Sequence, residues 1–146
     1  MGETITLRRL GPDHLDLLLA VEDGLFDNAI RPDQAEAFLN DPLHELVLAF
    51  DGDRVVGMAS GQILLHPDKP PAFFVAEVGV HDDYLRQGIG KQMCAKLCDI
   101  ARARGCEGIW LATEEDNVPA RALYRSLDAR ETKGIVVYDW DGAMDA

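Results

Sequence analysis

Leu85-Arg86-Gln87-Gly88-Ile89-Gly90-Lys91 lies between two segments of different period. Before it, Ala72 to Val80 is an apolar run of strand length. After it, Ile89, Met93, Leu97, Ile100 and Ala101 recur at helical spacing from Gly88 to Arg104, with Gly105 as the expected C-cap. Lys91, Lys96, Asp99 and Arg102 fall largely off that stripe. The heptapeptide is therefore a glycine-rich turn that leaves a strand and opens a helix. Two glycines two apart let the backbone approach an anion closely. The free N–H groups of the first turn, the helix dipole, Arg86 and Lys91 would all favour that anion. The spacing fits neither the three-glycine dinucleotide fingerprint nor a nucleoside-triphosphate loop, which needs Gly-Lys-Ser/Thr. On these residues alone, a turn that merely caps a helix is the competing reading.

Outward from this point the other elements follow. Thr4 to Arg8 alternates and predicts a strand. Pro12 opens a helix that continues through Leu15, Leu18, Leu19 and Glu22 and stops at Gly24. Residues 27–31 predict a loop, and Pro32 opens a second helix with Ala35, Phe38 and Leu39 on one face, ended by Asn40-Asp41-Pro42. Glu45 to Phe50, the turn Asp51-Gly52-Asp53 and Arg54 to about Leu65 form a hairpin, followed by a proline-rich loop over 66–71. Gly108 to Ala112 predicts a buried strand, Pro119 to Leu127 a short helix and Ile135 to Trp140 a closing strand. A meander that feeds a β-α-β unit implies an α/β (α+β) fold: a mixed, mainly antiparallel sheet with helices on both faces. No linker or repeat divides the 146 residues, so one domain is expected over 1–146.

Composition narrows the class. Hydrophobic residues at 47% and charged residues at 27% suit a soluble globular chain. No apolar run approaches the ~20 residues of a membrane span, and the N-terminus lacks a signal-peptide pattern, so a cytoplasmic protein is expected. Twenty-six acidic against 14 basic residues give a net charge of −12, which disfavours nucleic acid and anionic lipid and favours a cationic partner. Cys94, Cys98 and Cys106 are too few for a disulfide framework and lack nearby histidines for zinc, so they read as small buried hydrophobes and no metal is expected. His14, His44, His66 and His81 are scattered.

Three pieces in order resemble the GNAT superfamily of acetyl-CoA-dependent acetyltransferases. Glu77-Val78-Gly79-Val80 is similar to that family's fourth strand, and Arg86-Gln87-Gly88-Ile89-Gly90 to its pyrophosphate loop. Asn117-Val118-Pro119-Ala120-Arg121-Ala122-Leu123-Tyr124 is similar to its Asn-x-x-Ala-x-x-x-Tyr element. Two positions depart from the pattern: Leu85, where Arg or Gln is usual, and Asp128, where many members have glycine. Within the superfamily, Glu77, Arg86 to Ile89, Ala122-Leu123-Tyr124 and Tyr138 to Asp141 resemble the aminoglycoside 3-N-acetyltransferases.

The resemblance implies a set of roles. Acetyl-CoA is the expected cosubstrate, its pantetheine arm beside Val78, Gly79 and Val80. Its diphosphate would lie on the N–H groups from Gln87 to Lys91, with Arg86 and Asn117 assisting. A backbone N–H of Val78 or Gly79 would polarise the thioester carbonyl. Glu77, bordered by apolar neighbours that raise a carboxyl pKa, is the candidate base, and Tyr124 the candidate acid. Asp27, Glu115, Asp116, Asp139 and Asp141 are candidates for holding a small cationic amine, with Glu114 and Asp23 nearby in sequence. The expected reaction is N-acetylation of an aminoglycoside at its 3-amino group. Alternatives are a polyamine, an amino acid or a protein N-terminus as acceptor, or a non-catalytic acyl-CoA-binding domain. A homodimer through the closing strand is compatible with the resemblance.

Overall fold

The computed structural model describes residues 4–145. Its five strands stand in chain order, β1 (Ile5–Arg9), β2 (His44–Asp51), β3 (Arg54–Leu64), β4 (Ala72–Val80) and β5 (Ile109–Trp110). The first four pair antiparallel and β5 joins β4 in parallel. Four helices flank the sheet: α1 (Leu15–Leu19), α2 (Pro32–Asn40), α3 (Ile89–Ala103) and α4 (Val118–Ser126). The mixed sheet with helices on both faces is the expected fold.

β2 explains the two layers. All six residues from Glu45 to Phe50 are buried, because successive side chains enter two different cores. Val47 and Ala49 pack with Val56, Ala59, Phe73 and the α3 stripe Ile89, Met93, Leu97 and Ala101. Leu46, Leu48 and Phe50 pack with Leu18, Ala35, Leu39 and Met58 on the other face. Glu45 belongs by parity to the α3 side, and there it closes an ionic staple. Arg9 of β1 donates to it twice, at 2.8 and 2.7 Å, and Arg104 at the end of α3 donates at 2.7 Å.

Three expectations need correction. The buried strand expected over Gly108 to Ala112 is only Ile109–Trp110, and Trp110 is exposed. The first helical segment is shorter than expected, a 3-10 turn over Pro12–His14 and then only Leu15–Leu19. The closing strand Ile135 to Trp140 does not form. Ile135, Val136, Val137, Tyr138 and Trp140 are 57–79% exposed, and the segment joins no sheet among the described residues. Its β-branched composition favours extended backbone, but a strand needs a ladder partner, and β5 offers an edge only two residues long. The chain beyond α4 is instead tied back by Glu131, which accepts from Arg121 at 3.0 and 3.1 Å and from Arg125 at 3.1 Å.

Candidate active site

β4 pairs with β3 along its whole length but meets β5 only at Phe73–Ile109 and Phe74–Trp110. From Val75 onward its β5-facing edge has no strand partner. The gap is a cleft of about 270 Å³ lined by residues 75–78, by Leu111, Ala112 and Thr113, by Asn117, Ala120 and Tyr124 of the α4 region, and by Asp27. A β-bulge aims the first of these. Ser60 faces Glu77 and Gly61 faces Val75, so Ala76 is the extra residue, and Ala76 and Glu77 both leave the core while Val75 stays buried. Gly61 is obligatory opposite the bulge, since a Cβ there would collide with the Phe73 ring.

A second cavity of about 320 Å³ lies between the α1–α2 loop and the sheet, lined by Leu18, residues 26–31, Gln34, Ala35, Phe38, Leu46, Ser60 and Glu77. The two cavities share Asp27 and Glu77. Glu77 is the junction, and its carboxyl pKa is raised from the ordinary value by desolvation first and by the negative charge of Asp27 second. Tyr124 is half-buried across the cleft. Desolvation, with a smaller contribution from Cys94, pushes its phenol up to about 12.

The glycine-rich turn opens α3 without a cap. Gly88 takes the N-cap position at φ +78°, in the left-handed region, and no side chain hydrogen-bonds to the helix start. The first helical bond runs from Gln92 N–H to the Gly88 carbonyl at 3.0 Å, so the N–H groups of Ile89, Gly90 and Lys91 have no partner within the helix. Arg86, Gln87 and Lys91 are exposed, and neither Arg86 nor Lys91 forms an ion pair among the described residues. Arg86 itself has φ +64°, an unusual backbone for a non-glycine residue. Gly79 and Val80 carry β4 toward this turn, and Val80 touches the position where a Gly90 side chain would begin.

The contacts that hold the approach to the turn leave no mark in the sequence. Arg54, just past the β2–β3 turn, donates to Glu22 at 2.9 Å and lies 3.0 Å from His81 Nε2. Its guanidinium also sits 5.7 Å from the Tyr84 ring centroid. The Tyr84 hydroxyl donates to Asp51, and Asp83 N–H donates to His81 Nδ1 at 3.1 Å. The partners of Arg54 and Tyr84 are ~30 residues away in sequence, and no local pattern links them.

The remaining expected site residues divide between the cleft and the surface. Asn117 lines the cleft and also caps α4, its Oδ1 accepting from Ala120 N–H at 3.1 Å. Glu115, Asp116, Asp139 and Asp141 line neither cavity. The Glu115 carbonyl accepts from Arg121 at 2.8 Å, and Asp139 accepts from Met144 N–H at 3.2 Å. The three cysteines are free, and burial pushes their thiols up, Cys94 to about 12. No group of three His, Cys, Asp or Glu side chains suited to a metal occurs among the described residues. No helix there is long and apolar enough to cross a membrane.

Known proteins share this fold. The chain is 35% identical over 98 residues to the ribosomal protein bS18-alanine N-acetyltransferase of Salmonella typhimurium, covering 67% of this chain and 59% of that protein. It thus spans about three-fifths of the length of that curated relative. In three dimensions it resembles an aminoglycoside acetyltransferase from an uncultured soil metagenomic sample, with a TM-score of 0.82 at 19% identity over 94% of this chain and 95% of the other. It also resembles AAC(6')-Iy bound to the bisubstrate analogue CoA-S-monomethyl-acetylneamine, with a TM-score of 0.78 at 18% identity over 94% and 99%. At such identities the structural likeness establishes the fold. The sequence of residues 14–128 matches the Acetyltransferase (GNAT) family, and the chain belongs to it.

Proposed function

We propose that this chain transfers the acetyl group of acetyl-CoA directly to a primary amine, with Glu77 as base and Tyr124 as acid. One observation carries the reading. Glu77 and Tyr124 line the same cleft, opened where β4 and β5 diverge, and Glu77 alone with Asp27 also reaches a second cavity. A thioester laid along β4 would then meet an amine arriving from the other side. The uncapped start of α3 suits the diphosphate, and the unpaired edge of β4 suits the pantetheine amides.

The protons balance. An aliphatic ammonium gives a proton to Glu77, directly or through a water, and the freed amine attacks the thioester carbonyl. The C–N bond forms, the C–S bond breaks, and the proton that the attacking nitrogen loses on becoming an amide passes by way of Tyr124 to the leaving thiolate. A raised pKa brings Glu77 closer to working pH and makes it a better base. Desolvation likewise makes Tyr124 a weaker acid. With the phenol pushed up to about 12, tyrosine is a weaker acid than an ordinary thiol, so complete transfer from tyrosine alone is uphill. Tyr124 therefore acts chiefly by donating a hydrogen bond to the developing thiolate while it is itself reprotonated.

Two acceptor classes have support. An aminoglycoside taken at its 3-amino group agrees with the net charge of −12 and with the resemblance of residues 77–141 to such enzymes. A peptide α-amine agrees with the sequence relatives, which are named for acetylation of a protein alanine. Thiol release from acetyl-CoA, measured with gentamicin and with short peptides, separates the two, and turnover of neither contradicts transfer. Glu77→Gln should remove the rise of rate with pH. Asp27→Asn removes a negative neighbour, lowers the Glu77 pKa and should shift that rise to lower pH. A profile unaltered in both variants assigns the base elsewhere. The exposed run from Ile135 to Trp140 supports the homodimer with which the resemblance is compatible. Sedimentation that shows only a monomer at micromolar concentration removes it.

A further inference from the structure

The cavity on the α1–α2 side of Glu77 is built for an apolar group. Ala35 and Leu46 in its wall are buried, and Phe26, Ile30 and Phe38 are half-buried along it. Carboxylates enter its lining only at Asp27 and Glu77, where it joins the cleft. A polycation would need acidic groups spread along its length. Glu115, Asp116, Asp139 and Asp141, which could have supplied them, line neither cavity. The volume, about 320 Å³, is at the lower end for ligand sites and suits one side chain better than a linked set of sugar rings.

We propose that the acceptor is an α-amine whose neighbouring carbon carries a branched aliphatic or aromatic side chain, the ammonium held at Asp27 and Glu77 and the side chain in the Phe26–Ile30–Phe38 cavity. This rests on the Glu77-centred transfer proposed above and names the acceptor for it. Burial of the side chain fixes the amine's approach, and the two carboxylates supply the only charge complement at the junction. Arg31 is the one cation that lines either cavity. Its pair with Asp33 is solvent-exposed at 3.3 Å and holds it weakly, so it is free to meet the carbonyl or carboxylate that follows an α-carbon. Spermidine and gentamicin carry no branched aliphatic or aromatic side chain beside the amine and leave the cavity unfilled.

The test is thiol release from acetyl-CoA with glycinamide, leucinamide, phenylalaninamide, spermidine and gentamicin. Leucinamide or phenylalaninamide should exceed glycinamide in kcat/KM by about tenfold or more, since each buried methylene is worth about that factor in a fitted pocket. Phe38→Ala and Ile30→Asn should each cut that ratio to about threefold or less. The Phe38 ring also packs on His44 at 4.9 Å, so if its removal unfolds the chain, Ile30→Asn on the loop decides. Leucine against a Leu-Gly-Gly peptide then separates a free amino acid from a peptide terminus, either of which fits. Equal use of glycinamide, or a preference for spermidine or gentamicin, overturns the apolar acceptor and leaves transfer at Glu77 standing. Turnover of no amine overturns both.

Discussion

Tyr124 tests the chemistry most simply, because one oxygen separates its two roles. As a packed ring it would tolerate loss of the hydroxyl; as hydrogen-bond donor to the leaving sulfur it would not. Tyr124→Phe should lower kcat by about 10- to 100-fold with the acetyl-CoA Kd nearly unchanged, measured by steady-state kinetics beside calorimetry. Unchanged kcat returns Tyr124 to packing. Arg86 and Asp128 share a backbone that glycine prefers, at φ +64° and +63°. The resemblance to the family leads one to expect glycine at Asp128, and the φ of +63° gives that departure a physical meaning. Asp128→Gly should raise stability by up to about 1 kcal/mol in urea unfolding, relief of strain outweighing the added chain entropy. Arg86→Gly should relieve similar strain but weaken acetyl-CoA, because it removes an unpaired cation beside the anion site. If Arg86→Gly binds acetyl-CoA as well as the parent, the strained arginine has no part in the cofactor site.

Elements with a strong local period were legible in the sequence. The α3 stripe Ile89, Met93, Leu97, Ile100 and Ala101 is buried as its spacing required. The β2–β3 hairpin turns at Gly52, with φ +61°. The closing strand was not legible, because Ile135 to Trp140 carries the right side chains but its state depends on whether an edge exists to receive it. Long-range polar contacts were hidden for the same reason: nothing near Glu45 announces Arg9 or Arg104. That staple joins β1, β2 and the end of α3 through a carboxylate whose side chain is 4% exposed. Glu45→Ala should cost about 2 kcal/mol in chemical denaturation, below the roughly 3–5 kcal/mol of a fully buried pair. The reason is that Arg9 and Arg104, at 48% and 31% exposure, can turn back to water. A cost under about 0.5 kcal/mol would mean the three side chains merely coexist.

In the molecule as a whole, the two cores fix β4 between α3 and the α1–α2 layer, and the cleft proposed as the site opens where β4 loses its neighbour. The sequence indicated the ingredients, Glu77, Tyr124 and the turn from Arg86 to Lys91, because each sits in a short motif. It could not show that the bulge at Ala76 turns Glu77 outward, that Asp27 joins it from another layer, or that the acidic residues of the last segment stay away from both cavities. Those facts depend on packing across the sheet. On a chain of net charge −12, Arg86 and Lys91 stand at the start of α3 with no ion pair among the described residues. Main-chain amides there are the centre of the proposed cofactor site, and calorimetry with three ligands examines them directly. Acetyl-CoA should bind with saturable heat, and acetyl-pantetheine, which lacks the diphosphate and the adenosine beyond it, should bind about 100-fold more weakly or not at all, with acetyl-4'-phosphopantetheine recovering part of the loss through its phosphate. Equal affinity for acetyl-CoA and acetyl-pantetheine, or no heat from acetyl-CoA at millimolar concentration, contradicts it.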